Sequence, residues 1–557
     1  MRAAPIVVVT TLFVAASFAG ARAAQNCPVP PANHPSARWR NQYVWRALAR
    51  RHYTIGQIRI HVAQVYDLNK PGEDAWYSRL ADALHIKTRP GVVRDQLLFQ
   101  SGDPVRAPLI YQTERRLRSY KFLRKADIVP VACHDGRVDV DVNVKDSWTL
   151  KPEVAYERIG GQNIVSFQLK DENLFGLGKT IALGHIHGTQ RDENYASYFD
   201  PALAGSRWQL LASASNLSDG YGRQLSINRP FFADATAWSG GASFLTQQAD
   251  VNFYNDGKQA WVASDQTRQV SLSWQHLVAW DGVSGLRAGV RYIDEAWRYG
   301  PLIPRAPRLR PRPTLPDRQF RGLQGTLNFF QDRYATFYNM AQIGRAEDYN
   351  LGWTASAAAG FFPTSFGSSS DAWIGGLGAT YGTRLPWDGA VFVSAGVGGR
   401  HARGAWRGSY GDLGATWYDQ TFDRQTLVAH VTADWQLRPD PEDQLYLGGL
   451  AGLRGYPNYF RAGDRRWTLT LEDRIFTTTT FVNTFKLGYV AFLDAGRIDQ
   501  PGGQGWSRIF SDVGGGLRFG NARGAFDNVI YLTVAVPLVR TTETSRYQIV
   551  IGDIVNF

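Results

Sequence analysis

The chain has 557 residues, long for one soluble core and suited to two or three domains. A mean hydropathy of −0.29 with 20% charged residues reads as soluble, but a transmembrane β-barrel gives the same numbers because its strands alternate apolar and polar residues. The 56 Gly, 18 Trp and 13% aromatics beside two Met argue against a helical bundle and suit turns and interfacial aromatic rings.

The chain opens as an export signal over 1–23: Arg2, a mostly apolar Ile6 to Ala19 too short to span a membrane, then small residues at Ala21-Arg22-Ala23. No later run approaches the ~20 apolar residues of a membrane helix, so a mature chain in a membrane has to form a closed barrel. Residues 24–52 read as a basic linker or arm. No acid precedes Asp67, while Arg38, Arg40, Arg46, Arg50 and Arg51 crowd the region, and Arg38 to Leu48 can form a short amphipathic helix. A second basic stretch, Pro304 to Pro316, carries Arg305, Arg308, Arg310 and Arg312; the net charge is +12. Nucleic acid is not expected as a partner of an exported chain. Anionic lipid headgroups and plain solvated loops fit both stretches equally. Cys27 and Cys133 could pair in an oxidising compartment or remain unrelated thiols.

Residues 53–148 predict a small α+β unit in the order β-α-α-β-β. Ile55, Ile58, Ile60, Val62 and Val65 mark a first strand. Pro90 to Phe99 and Leu109 to Tyr120 have helical patterning, separated by Gly102-Asp103-Pro104. Ala126 to Ala132 is a second strand, and Val138, Val140, Val142 and Val144 alternate with polar residues in a third. From 149 to 557 the chain becomes a series of short alternating segments punctuated by Gly, Asn, Asp and Pro. Leu427, Ala429, Val431, Ala433, Trp435 and Leu437 are one such set, and Val270, Leu272 and Trp274 another. The fold class expected is mainly β: an antiparallel transmembrane barrel, about 16 strands at roughly 25 residues per strand and loop, preceded by the small α+β domain. In the last strands Phe485, Leu487, Tyr489, Ala491 and Leu493 should face lipid and Lys486, Gly488, Val490, Phe492 and Asp494 should face inward. Ile530, Leu532, Val534 and Val536 should face lipid as well. The final strand ends on an aromatic, Phe557.

The segment Leu447-Gly-Gly-Leu-Ala-Gly-Leu-Arg454-Gly455-Tyr456 resembles the signature loop of the BamA/TamA superfamily of outer-membrane assembly and translocation factors, also called bacterial surface antigens. Phe492-Leu-Asp494-Ala-Gly496 resembles a second motif of that family, and Glu472 matches the acidic position of the strand after the loop. The resemblance implies that the loop folds back into the lumen and that Arg454 meets Asp494, where an arginine fork could hold a carboxylate with two bonds. It implies five strands after the loop and a terminal insertion signal at Phe557. The β-α-α-β-β unit resembles a POTRA domain, with Leu98-Phe99-Gln-Ser-Gly102 and Glu114-Arg-Arg-Leu-Arg118 at matching places, and Asn173-Leu-Phe-Gly-Leu-Gly178 resembles an early barrel turn. One POTRA-like unit departs from the several of the assembly factors and the two of the two-partner transporters.

Other motifs carry little chemistry. Gly176-Leu-Gly178-Lys179-Thr180 ends like a phosphate loop, but Asn173 stands where its first glycine belongs and the context is strand-turn-strand. His185 and His187 share a strand face without a third ligand, and a lumen or loop position suits them better than a metal. No G-x-S-x-G elbow is present. No catalytic, cofactor or metal site is expected. The implied function is non-enzymatic: the POTRA-like unit engages unfolded or exported client polypeptides, and the barrel mediates their insertion or passage. Outer-membrane lipids and periplasmic accessory proteins are the further partners. A passive porin-like or structural barrel is the alternative, and an outer-membrane hydrolase is a distant third.

Overall fold

A computed structural model describes residues 27–28, 37–66, 76, 79, 82–83, 85–306, 308, 312–344, 346–481, 485–500, 505–521 and 529–552. The export signal and Phe557 lie outside the described residues. The chain divides into two compact units, Met1–Gln64 with Arg89–Asp146, and Val65–Thr88 with Ser147–Phe557.

The first unit contains α1 (Ala37–Arg50), β1 (Thr54–Ala63), α2 (Pro90–Arg94), α3 (Ala107–Ser119), β2 (Leu123–His134) and β3 (Arg137–Asp146). Its sheet has the order β1-β3-β2, with β1 parallel and β2 antiparallel to β3. The central position of β3 explains its strict alternation. Val138, Val140, Val142 and Val144 bury one face, while Asp141 on the other accepts a 3.0 Å bond from Arg59. Between α2 and α3 the turn needs a left-handed residue, which Gly102 supplies at φ 93°. The basic stretch read as an arm contains α1, and α1 belongs to the core: Trp45 and Leu48 are fully buried against Ile110, Leu117 and Ile128. Cys27 and Cys133 form a disulfide.

The second unit is a closed antiparallel barrel of 20 strands, running from Leu150–Ile159 to Gln548–Gly552; two two-residue strands, Ile303–Pro304 and Gly505–Trp506, extend its hairpins. The expectation of about 16 strands is therefore corrected. It rested on too long a connection: many links are only two residues, such as Asp256-Gly257 and Arg403-Gly404. The end at which Leu150 begins is called proximal here, and the end at which Ile159 turns into Gln162 is called distal. Alternation of an antiparallel chain assigns every connection to one end or the other.

Register traces one continuous outer face. Val154 lies opposite Phe167, Leu225 opposite Phe244, Val290 opposite Trp274, Leu377 opposite Ala357 and Val397, and Leu532 opposite Leu517. Tyr489, Ile530, Leu532 and Val534 are exposed on this face, whereas Val490, Phe492 and Asp494 are buried on the other, as their alternation implies. Aromatic pairs flank the apolar band. Trp353 and Tyr381 stack at its proximal edge, and Phe361–Trp373 and His401–Trp406 meet at its distal edge. Trp353 and Phe361 stand eight positions apart on one strand; at ~3.3 Å per residue and a 35–45° tilt this is about 20 Å, near the ~25 Å band that a bilayer selects. Among the described residues no helix is long and apolar enough to cross a membrane.

Candidate functional site

The connection 438–464 leaves strand Gln425–Leu437 at the distal end and returns into strand Arg465–Phe481. Two short segments inside it, Leu445–Leu447 and Arg461–Gly463, pair as a hairpin. The 3-10 turn Gly449–Ala451 lies between Gly448 at φ 107° and Gly452 at φ 103°, conformations that favour glycine and reverse the chain sharply. Leu447, Leu453, Tyr456 and Phe460 then form a fully buried cluster with Ile498 and Phe510 of the barrel wall. This apolar wedge holds the loop inside the barrel.

Arg454 is carried inward on that wedge and is 5% exposed. Its Nε and Nη2 donate to the two oxygens of Asp494 at 2.7 and 2.8 Å, and its Nη1 donates to Glu472 at 2.7 Å. The guanidinium lies over the Phe492 ring, 3.4 Å from its centre. Thr470 adds a hydroxyl to Asp494 at 2.9 Å. Burial pulls the Arg454 pKa down; Asp494 and Glu472 push it up by more, and the net shift is upward. Alternation on strands Arg465–Phe481 and Phe485–Gln500 points Thr470, Glu472, Asp494 and Phe492 at one place, because these strands pair in register, Thr470 with Asp494 and Glu472 with Phe492.

The structure thus brings together Arg454, Glu472, Phe492 and Asp494. Gly455 sits where a Cβ would come within 2.7 Å of the Asp512 Cβ, so the loop can approach the wall only without a side chain there. The Tyr456 hydroxyl is 2.9 and 3.0 Å from the carbonyls of Val539 and Ser511. A Cβ at Gly496 would crowd Leu447 at 3.2 Å, so this glycine also makes room for the loop.

Several participants escaped the motif. Asn458 donates to Ile159 O at 3.0 Å and to Gln162 at 2.9 Å, tying the loop to the first barrel hairpin. With Tyr456 reaching Ser511 and Val539, the loop touches strands on both sides of the seam between last and first strand, where Ile551 opposite Arg158 is the one registered pair among the described residues. Asp512 lies across from Asp494, fully buried, with no arginine bonded to it among the described residues. Arg474, fully buried, donates to Glu472 at 2.8 Å and to Met340 O at 2.7 Å. The last contact involves hairpin 332–352, which enters from the opposite end. Nothing in a lone strand Asp or Arg distinguishes it from ordinary lumen polarity.

The weaker motifs fall elsewhere. Gly176-Leu-Gly178-Lys179 forms a proximal turn between strands, where Lys179 pairs with Asp200 at 3.1 Å. His185 and His187 lie on the outer face with Ile181 and Leu183 rather than in the lumen, bonded to Asn194 and Asp192. Asp440, Glu442 and Asp443 gather their carboxylates, but Arg400 and Arg318 already bond Asp440 and Glu442.

No family model matches the chain, and no curated protein matches it. Solved structures do. BamA from Haemophilus ducreyi lacking POTRA domains 1–3 is 13% identical over 89% of this chain and 84% of its own, with a TM-score of 0.41. CdiB from Acinetobacter baumannii is 13% identical over 90% and 74%, with a TM-score of 0.42. CdiB from Escherichia coli is 13% identical over 89% and 76%, with a TM-score of 0.43.

Proposed function

We propose that this chain is a non-enzymatic assembly or translocation factor of the bacterial outer membrane, of the BamA/TamA type, with a POTRA-like unit in the periplasm. The observation that carries the reading is the Arg454 loop, folded back into a closed barrel and held on Asp494. The loop fixed to the wall at Asp494 and hairpin 332–352 from the other end both occupy lumen space, which favours this reading over a passive porin.

In this reading the periplasmic unit takes up unfolded client strands by adding them to a sheet edge, through backbone bonds with little sequence preference. The edge this reading assigns to the client is β1 beyond Ile55, whose own amide and carbonyl already bond Asp103 and Gly102. The β2 edge is occupied at its centre: Ile128 N donates to the Glu114 carboxylate at 2.9 Å, and Ile128 O accepts from Asn41 at 2.8 Å and Trp45 at 3.2 Å. Pro130 offers no amide there. The barrel then delivers the client to bilayer or exterior, and the Arg454 loop braces the strands on both sides of the closing seam. Outer-membrane lipids and accessory proteins complete the set of partners. Depleting the protein and comparing outer-membrane and secreted proteomes tests this. Specific loss of client proteins, rescued by the wild-type chain and poorly by Arg454→Ala, is expected. Unchanged proteomes with an altered solute permeability would return the porin.

A further inference from the structure

The proximal connections are short apart from 332–352, which links strand Arg318–Gln331 to strand Trp353–Phe362. It folds into a hairpin of two five-residue strands, Tyr334–Tyr338 and Ala346–Asn350. These are too short to cross a bilayer. They belong to no barrel ladder but lie within the barrel wall's inner face. The tip is buried: Met340 is 1% exposed and Ile343 2%.

The wall is shaped to receive this tip. Ile343 packs with Phe476, Val490, Phe492 and Tyr531. Gly520 opens the space for it, since a Cβ there would stand 2.7 Å from the Ile343 Cβ. Met340 and Phe337 pack on Tyr418 and Val428. The tip's carbonyls are read by the wall: Arg474 donates to Met340 O at 2.7 Å, Arg518 to Ala341 O at 2.8 Å, and Thr426 to Asn339 O at 2.8 Å. Glu347 satisfies the amides of Met340 and Ala341 at 2.9 and 3.0 Å, so the tip is preorganised.

We infer that hairpin 332–352 is a displaceable inner plug that closes the lumen from the proximal end, opposite the Arg454 loop. The two insertions meet at one residue. Glu472 takes Arg454 on one oxygen and Arg474 on the other, and Arg474 holds Met340. Displacement is feasible because the tip is held by side chains and not by barrel ladder bonds; swinging it out breaks no strand pairing of the wall.

The inference assumes that the barrel spans a bilayer, and planar-bilayer recording of the purified full-length chain tests it. Replacing 334–350 by a short Gly-Ser turn should raise single-channel conductance several-fold over the wild type. A cross-linked pair, Ile343→Cys with Gly520→Cys, starts with the two Cβ atoms at 2.7 Å, so a disulfide forms after the tip backs off by about 1 Å to the ~3.5–4.5 Å it needs. Oxidised, it should be silent; reduced, it should show intermittent openings, with wild type in the same reductant as the control for Cys27–Cys133. A hairpin-less variant that inserts, keeps heat-modifiable migration and conducts like the wild type would overturn the plug. So would identical records from the oxidised and reduced pair, even if the deletion does not fold. Failure of every form to insert would instead count against the membrane reading itself.

Discussion

The Arg454 site is a test of what buried charge is worth in a barrel. The guanidinium has three side-chain bonds to two carboxylates, and all three residues are nearly inaccessible. Removing Arg454 leaves Asp494 on the Thr470 hydroxyl and Glu472 on Arg474, and removing Asp494 leaves Arg454 on Glu472; breaking a buried pair in this way costs up to about 3–5 kcal/mol. Arg454→Ala and Asp494→Ala should therefore each lower the temperature at which the barrel loses its folded migration on gels. The double variant should lose less than the two losses combined; strict additivity would show that the pair is not coupled. Asp512 makes the opposite case on the next strand. It is equally buried but faces another carboxylate, Asp494, and has no arginine bonded to it among the described residues. Asp512→Asn keeps the volume and relieves the repulsion between two facing carboxylates, so its midpoint should match or exceed the wild type, whereas Asp494→Asn should fall well below it. A drop in both would assign Asp512 a partner. The alternation of Phe492 and Asp494 announced that Asp494 points inward, and a loop motif supplied Arg454. Neither signal could reach Asp512, because its partner is itself a strand carboxylate whose register emerges only when the strands pair.

At the scale of elements, the first unit is built around an N-terminal helix that its basic composition disguised. Arg38, Arg40 and Arg46 suggested a solvated arm, but the apolar stripe of α1 supplies Trp45 and Leu48, both fully buried. Trp45→Ala should cost about 3–5 kcal/mol as a large-to-small change in a packed core. Limited proteolysis should show the first unit cut and the barrel spared. The edge argument makes a separate forecast. A photo-cross-linking residue placed on β1, at Arg59 or His61, should capture client polypeptide, and one at Asp127 or Val129 on β2 should capture little, because α1 and α3 side chains occupy that edge. Strong capture from β2 alone would mean that α1 is displaced when clients bind. The order β-α-α-β-β was readable because each helix and strand carries its own period. The inner hairpin was not. Its strands alternate as wall strands do, and only their length of five residues and their register separate a plug from a membrane crossing.

At the scale of the molecule, the sequence's periodicity carries the closed barrel and which residues face out, because a period of two fixes the face of every residue once one is known. It does not carry the number of strands, which depends on turn lengths that alternation leaves free. The two-faced wall makes a prediction that needs no knowledge of the client. Leu327 and Asn328 are neighbours on strand Arg318–Gln331. Leu327 is 51% exposed on the outer face, opposite Ala357, midway between the aromatic pairs at Trp353 and Phe361. Asn328 points inward and lines a cavity of about 740 Å³ with Gln275, Arg291, Gln324 and Arg400. Arginine on the outer face at mid-height must bring its charge into hydrocarbon, at about 2–4 kcal/mol. The same arginine one residue later enters a polar cavity and costs little. Refolding into phospholipid vesicles, followed by the folded fraction across urea, should place Leu327→Arg well below Asn328→Arg, and Asn328→Arg near the wild type. The comparison holds chain position and substituent constant, so it isolates the face. If instead the two variants unfold together, the outer band does not contact lipid, and the apolar face would have to be covered by protein.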